Sequence, residues 1–365
     1  MPRAPAAEHF PSDYLAARSA FRSAASAVGA TLLGEALTAR SSRGDELAID
    51  TAYRGPETPE ALLVLSSGIH GVEGFAGSAI QHRVLSDLEG IPGAKDGIGL
   101  LFIHALNPFG FAELRRVNES NVDLNRNFVA HRDGHEANPG YEALADAINP
   151  PDLEPATDAR SRQLMGAYAA EHGAERMQEA LTRGQYDRPR GVQFGGSKQE
   201  ESARLLGDIA TREVRSAARV AWLDFHTGLG PYGEVEIISE YPARQGEFAR
   251  ARAWFGGRTQ STQSGDSVSV PLGGTIERGI EAALPGRELT PVAAEFGTYP
   301  SDRVFWAMRA ENWVHHHSDP ESEQARTVRA ELREVFCPAD PLWRASVVET
   351  GARLVAEARR GLAGS

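Results

Sequence analysis

Four short runs of almost unbroken apolar sequence constrain this chain most: ALLVLSSG at 61–68, IGLLFIHAL at 98–106, VAWLDFHTG at 220–228 and TPVAAEFGT at 290–298. Each has the length of a strand, and continuous apolarity predicts burial on both faces of a sheet. The first is followed by GFAGSAIQHRVLSDL, which has helical periodicity, and the second ends at the turn dipeptide Asn107-Pro108. After the third comes EVEIISE at 234–240, which alternates more clearly, and after the fourth SDRVFWAMRAENWVHH, where Ser301-Asp302 reads as a helix cap. Buried strands alternating with helices predict an α/β fold, with a mixed, mostly parallel central sheet flanked by helices.

The flanking sequence reads as helical. Ser12 and Asp13 can cap a helix over 11–29 whose apolar stripe is Tyr14, Leu15, Phe21 and Val28. Residues 130–218 read as a largely helical insertion with Pro/Gly-rich loops, and 322–361 as two surface helices broken at CPADP. No repeat of fixed period divides the 365 residues, which are expected to form a single catalytic domain. With 38 Lys+Arg against 50 Asp+Glu the net charge is −12, which argues against wholesale nucleic-acid binding and against an anionic membrane surface. One cysteine, Cys337, excludes a disulfide framework within the chain and any Cys-rich zinc module. No apolar run spans a bilayer and the N-terminus has no signal-like apolar core, so a cytoplasmic location is expected.

The sharpest motif is HGVEG, His70 to Gly74, directly after the first buried strand. A His and a Glu three apart can ligate one zinc ion when they sit on the turn leaving a strand. Glycines at 68, 71 and 74 allow unusual backbone dihedrals there. The same pattern recurs at His172 and Glu175, but in an Ala-rich helical stretch that follows no strand, which reads as a solvated helix face. A catalytic zinc needs a third protein ligand. His226, at the end of VAWLDFHTG, is placed for it, and strand alternation puts Asp224 on the same face as a supporting carboxylate. His104 has no such carboxylate and reads as a core or rim histidine.

Arg115, Arg116 and Arg126 stand among Asn and Gly in NPFGFAELRRVNESNVDLNRNF (107–128), a loop-like stretch of the kind that collects binding groups. Arginine suits a carboxylate held by two parallel hydrogen bonds, or a developing oxyanion. Glu295 interrupts an apolar run, and a buried carboxylate needs a partner or a role.

In this order, HGVEG, RVNESNVDLNRNF, DFHTG and AEFGT, the chain resembles the zinc carboxypeptidases and their deacylase relatives, the succinylglutamate desuccinylases and aspartoacylases. Arg116 precedes Asn125 by nine residues, as in cytosolic branches of that family, and GQYDRPRGVQFGG at 184–196 is similar to a segment of one bacterial branch. The resemblance covers about residues 45–315 and implies a zinc carboxypeptidase-like, phosphorylase/hydrolase-like fold. It implies His70, Glu73 and His226 as ligands of one zinc ion, Glu295 as general base and proton donor, and Arg116 as the group that polarises the scissile carbonyl. Asn125 and Arg126 would grip a substrate carboxylate, and Tyr232, Tyr241 and Tyr299 are alternatives for the family's mobile tyrosine.

The expected activity is hydrolysis of an amide bond, in a peptide or in a small N-acyl amino acid bearing a free carboxylate. A non-catalytic metal- or ligand-binding protein on the same fold is the reading from another class. GLGPYG at 228–233 matches a dinucleotide-binding glycine pattern, but a strand follows it where a helix is required. Cys337 reads as a packing thiol, and His315 to His317 as a solvated helix end.

Overall fold

A computed structural model of the protein describes residues 6–88, 97–131, 135–214 and 216–364. Its strands are β1 (Thr31–Arg40), β2 (Glu46–Arg54), β3 (Ala61–Ser67), β4 (Ile98–His104), β5 (Arg219–Gly228), β6 (Val235–Ser239), β7 (Thr259–Ser261) and β8 (Glu288–Gly297). They form one eight-stranded sheet in the order β1-β2-β4-β3-β5-β8-β6-β7. The pairs β4/β3, β3/β5, β5/β8 and β6/β7 are parallel, and β1/β2, β2/β4 and β8/β6 antiparallel. The expected mixed, mostly parallel sheet is therefore the one observed. The four apolar runs are its centre, β4, β3, β5 and β8, and every residue of β3 and β4 is buried.

The helices are α1 (Tyr14–Ala27), α2 (Gly74–Ser86), α3 (Pro108–Glu113), α4 (Pro139–Ala143), α5 (Ala145–Ile148), α6 (Pro155–His172), α7 (Ala174–Thr182) and α8 (Glu201–Glu213). They continue with α9 (Gly246–Phe255), α10 (Ile276–Ala283), α11 (Ser301–His317), α12 (Glu323–Phe336) and α13 (Pro341–Gly364). Helices α1, α2, α13 and α9 form one contiguous layer on the sheet, and α8 packs with α10. Among the described residues no helix is long and apolar enough to cross a membrane.

Several local readings are corrected. Asp13 alone caps α1, accepting from the Ala16 N–H at 2.9 Å, and of the expected stripe Leu15 faces solvent while Tyr14 and Phe21 are buried. Ser301 is the first helical residue of α11 rather than its cap: Pro300 holds the cap position and no side chain bonds there. The C-terminal pair is not superficial, because α13 buries Trp343, Val347, Leu354 and Val355 in the main core. The insertion has an apolar cluster of its own, Tyr141, Leu144, Ile148, Met165 and Val192, which packs on Phe305, Trp306 and Met308 of α11. Buried Arg309 of α11 ties it down, donating to the Ala147 carbonyl, Asp158 and Ser161 at 2.6–2.9 Å.

The connectivity fixes where a site can lie. From β3 the chain crosses to β4 on one side, and the next parallel neighbour, β5, lies on the other side of β3. That reversal opens a crevice beyond the carboxyl ends of β3 and β5, the usual ligand position in such sheets.

Candidate metal centre and the pocket around it

His70 and Glu73 leave β3 on a single 3-10 turn, Gly71–Glu73, and His226 lies on β5 across the crevice. Gly68 makes the exit with φ +69°, a left-handed conformation that a side chain would strain. Gly71 serves closeness instead of an unusual dihedral: a Cβ there would lie 2.1 Å from the Gly110 carbonyl carbon. Gly74, at φ −55°, is likewise required by contact, with the Phe111 ring. This corrects the expectation that all three glycines serve the backbone angles.

His70, Glu73 and His226 converge in the fold, each about 3% exposed, with one ligand atom from each lying within 4.8 Å of the others. His70 Nδ1 is 2.9 Å from Glu73 Oε1 and His226 Nδ1 is 3.3 Å from Glu73 Oε2. The other ring nitrogens face aspartates: His70 Nε2 is 3.1 Å from Asp123 Oδ1, and His226 Nε2 is 2.6 Å from Asp224 Oδ2. Each aspartate accepts the Nε2 proton, so that a neutral ring carries its lone pair on Nδ1, directed at the Glu73 carboxylate. Three electron-rich groups then face one another, and His70 Nδ1 is buried without a hydrogen-bond partner. Such a cluster calls for a cation.

A proton on His226 answers the same need for positive charge that a metal ion would. Burial opposes charging His226, but Asp224 and then Glu73 outweigh it and hold the imidazole well above its ordinary pKa. Burial pushes Glu73 up, and His70 and His226 more than reverse it, holding the carboxyl far below its ordinary value. Two imidazole nitrogens and one carboxylate are a common donor set for a catalytic zinc, so these residues fit that ion.

Glu295 stands on β8 in register with His226 on β5, so the two side chains are neighbours on one face of the sheet. Its Oε1 accepts from the Leu229 N–H at 2.8 Å, and burial together with the Glu73 charge pushes its pKa up to about 7. Arg116, with a side chain 12% exposed, pairs through Nη1 with Asp123 and with Gln193 Oε1 at 3.0 Å, and its Nε is 3.8 Å from Glu73. Burial pushes Asp123 up, but Arg116, Arg126 and His70 outweigh it and hold it well below the usual carboxylate range.

The remaining candidate residues have protein partners of their own. Arg115 is structural: it is fully buried, with Nε 2.7 Å from Glu311 on α11 and Nη2 2.8 Å from Asn121. Arg126 is buried, but its guanidinium donates to the carbonyls of Thr182 and Asn125 at 2.7–3.2 Å. Asn125 accepts through Oδ1 from the Ile276 N–H at 2.7 Å and thereby caps α10. Tyr232, Tyr241 and Tyr299 turn their hydroxyls to Asp340, Glu281 and Glu334. Instead it is Tyr186 that reaches the Arg126 wall, donating to its carbonyl at 2.6 Å while its ring stacks on His135 at 3.8 Å.

Sequence reasoning missed Asp123, Gln193, Tyr186 and two buried acids, Glu240 near Arg126 and Glu277 near His226 and Asp224. Burial and the neighbouring Glu277 push Glu240 up to about 8. Asp123 stands in the very motif that carries Arg116 and Arg126, and a carboxylate there is the one available signal; no local pattern marks the others. Of the sites read as bland, only the solvated helix end is corrected: His315 and His316 are half-buried on α11 and His317 alone is exposed. His172 and Glu175 are exposed on α6 and α7, Cys337 is buried, and β6 follows GLGPYG.

The sequence model of one protein family matches residues 10–350. The chain belongs to that family, DUF2817, described as a protein of unknown function. No curated protein matches the sequence. Among solved structures it is similar to carboxypeptidase A from Helicoverpa armigera, at 12% identity and TM-score 0.45, over 96% of this chain and 75% of that one. It is similar to bovine thrombin-activatable fibrinolysis inhibitor bound to tick carboxypeptidase inhibitor, at 11% and 0.46, over 94% and 98%. A third similar structure is the Fimbriiglobus ruber glutaminyl cyclase, at 10% and 0.41, over 97% and 96%.

Proposed function

We propose that this DUF2817 chain is a zinc-dependent hydrolase of an amide bond that stands next to a free carboxylate. The observation carrying this reading is the pair of buried imidazoles, each held by an aspartate through Nε2 and each turning Nδ1 to Glu73, with Glu295 in register beside one of them. Zinc in such a donor set supplies Lewis acidity, lowering the pKa of a water and polarising a carbonyl.

The chain's own residues would do the rest. Glu295, poised near neutrality, takes a proton from the attacking water and returns it to the leaving amine nitrogen. Arg116, fixed by Asp123 and Gln193, presents its guanidinium to the carbonyl oxygen as charge builds, where one positioned donor is worth roughly 3 kcal/mol. Asn125 holds α10 against the pocket, and Arg126 supplies a buried positive charge. A two-bond grip on a carboxylate requires Arg126 to exchange its carbonyl partners for the substrate.

A C-terminal peptide residue and an N-acyl amino acid share the chemistry this reading needs, an amide beside a carboxylate. The test is zinc content together with turnover of a panel holding both classes and their carboxamide counterparts. About one zinc per chain and hydrolysis of free acids over amides supports the proposal. A zinc-loaded protein that hydrolyses nothing on the panel but binds its members overturns catalysis in favour of a binding role.

A further inference from the structure

We infer that Ser66 and Trp222 are positioning residues for the metal centre, acting on His226 through Asp224. The inference rests on the metal-centre reading above, and its test separates the two. Ser66 on β3 and Asp224 on β5 are register partners in the parallel sheet. Trp222, Asp224 and His226 occupy alternate positions of β5 and so share its face. All four side chains are buried, and each polar atom there needs a partner.

The hydrogen bonds among them run in one direction. An indole N–H can only donate. Trp222 Nε1 therefore gives its hydrogen to Ser66 Oγ at 2.7 Å, and the single Ser66 hydrogen goes to Asp224 Oδ1 at 2.6 Å. That leaves Asp224 Oδ2 for the His226 Nε2–H at 2.6 Å, and the His226 Nδ1 lone pair for the centre. A rotatable hydroxyl could otherwise point elsewhere; the indole above it fixes the choice. The His70 arm is built otherwise, since Asp123 shares its charge with the Arg116 cation while Asp224 is supported by a neutral hydroxyl. Asp224 thus keeps its full charge for the imidazole, which makes His226 the stronger donor.

The test is the zinc dissociation constant, measured by chelator competition on folded protein. Ser66→Ala leaves Asp224 Oδ1 without its donor and should weaken zinc by about 10-fold, the low end for groups behind a ligand. Trp222→Phe keeps Ser66 but frees its hydroxyl and should weaken zinc by a smaller factor. Ser67→Ala is the control: Ser67 is equally buried on β3 but donates to Gln81 Oε1 at 3.0 Å, away from the centre. Its zinc affinity should stay at the wild-type value. As a second readout, the Trp222 indole N–H proton resonance, identified by its loss in Trp222→Phe, should shift when zinc is added.

Equal zinc affinity in wild type, Ser66→Ala and Trp222→Phe overturns the inference while leaving the metal centre intact. So does an equal loss in Ser66→Ala and Ser67→Ala, which would mark a general effect of polar deletions in β3. A wild-type protein that takes up no zinc overturns both readings. If Ser66→Ala does not fold, Trp222→Phe and the indole resonance decide.

Discussion

Two buried histidines lie at the carboxyl ends of strands on either side of β3, His104 on β4 and His226 on β5, and only His226 converges with other side chains that could hold a metal ion. His104 stacks on Phe21 with centroids 4.7 Å apart and meets Ser78 Oγ at 3.0 Å, and burial pushes its pKa down to about 4. His226 is held between Asp224 and Glu73, which hold its pKa high. Two residues before each histidine stand Phe102 and Asp224, and this choice separates a packing ring from a candidate ligand. Both even have a carboxylate in register on the next strand, Asp50 for His104 and Glu295 for His226. Asp50 is consumed by Arg18 and Arg22 at 2.7 and 2.6 Å, whereas Glu295 receives one backbone N–H. An unpaired Nδ1 does not mark a ligand by itself, since His104 has one as well. The convergence of several lone pairs on one point does.

The most forceful way to break this contrast is to delete the rings. His70→Ala or His226→Ala should drop the zinc content from about one per chain towards zero and abolish turnover. His104→Phe and the exposed His172→Ala should keep full zinc. Metal analysis after gel filtration checks this, and full occupancy in His226→Ala would end the ligand assignment.

Next in size is the contrast between the two in-register carboxylates. Glu295→Gln should cut turnover by about 10² to 10⁴ with zinc and substrate binding little changed, because only the base is lost. Asp50→Asn should leave turnover of the folded protein alone and instead cost about 1–3 kcal/mol of stability, as Arg18 and Arg22 lose their shared partner. Specific activity and urea denaturation on the same preparations read both. A zinc-loaded, fully active Glu295→Gln protein would refute the mechanism.

The same contrast shows what was legible beforehand. β3, β4, β5 and β8 announce themselves because a strand covered on both faces must be apolar throughout, and HGVEG and DFHTG gain their meaning from ending such strands. β1, TLLGEALTAR, was illegible: most of its residues are at least partly exposed and its Leu, Glu and Ala suit a helix, so pairing with β2 decides its state. Asp224 could be found by alternation from His226. Asp123 could not be assigned to His70, 53 residues away, because only the folded loop brings them together. Arg126 is legible as a functional type, but its carbonyl partners come from Thr182 in the insertion, a contact no local pattern encodes.

That placement makes Arg126→Ala a sharper test than the motif suggests. If Arg126 turns from Thr182 to a substrate carboxylate, the variant should lose about 10- to 100-fold in affinity for free acids and far less for the matching amides. Equal losses for both classes would make the residue a strut between the motif loop and α7, in line with the bonds it makes here.

The last contrast returns to the ring outside the site, and it reads the stability of the fold and not its activity. His104 is neutral in the folded protein, with a pKa near 4 against 6.5 for an ordinary histidine. A depressed histidine contributes stability that is fully present above pH 6.5 and is lost as pH falls through 4, because the unfolded chain takes up the proton first. The full shift amounts to roughly 3 kcal/mol, at a slope of up to about 1.4 kcal/mol per pH unit. His104→Phe keeps a flat ring against Phe21 and removes the titration, and Ser78 in α2 can turn its hydroxyl to a carbonyl one turn back. Urea unfolding of both proteins from pH 7 to 4 should therefore give curves that diverge, with the variant falling less steeply. The zinc centre also responds to acid, but it is common to both proteins and cancels in the difference. Parallel curves would mean that His104 takes up its proton as readily in the fold as in the unfolded chain, and that Asp50, despite its two arginines, still serves as its counter-charge.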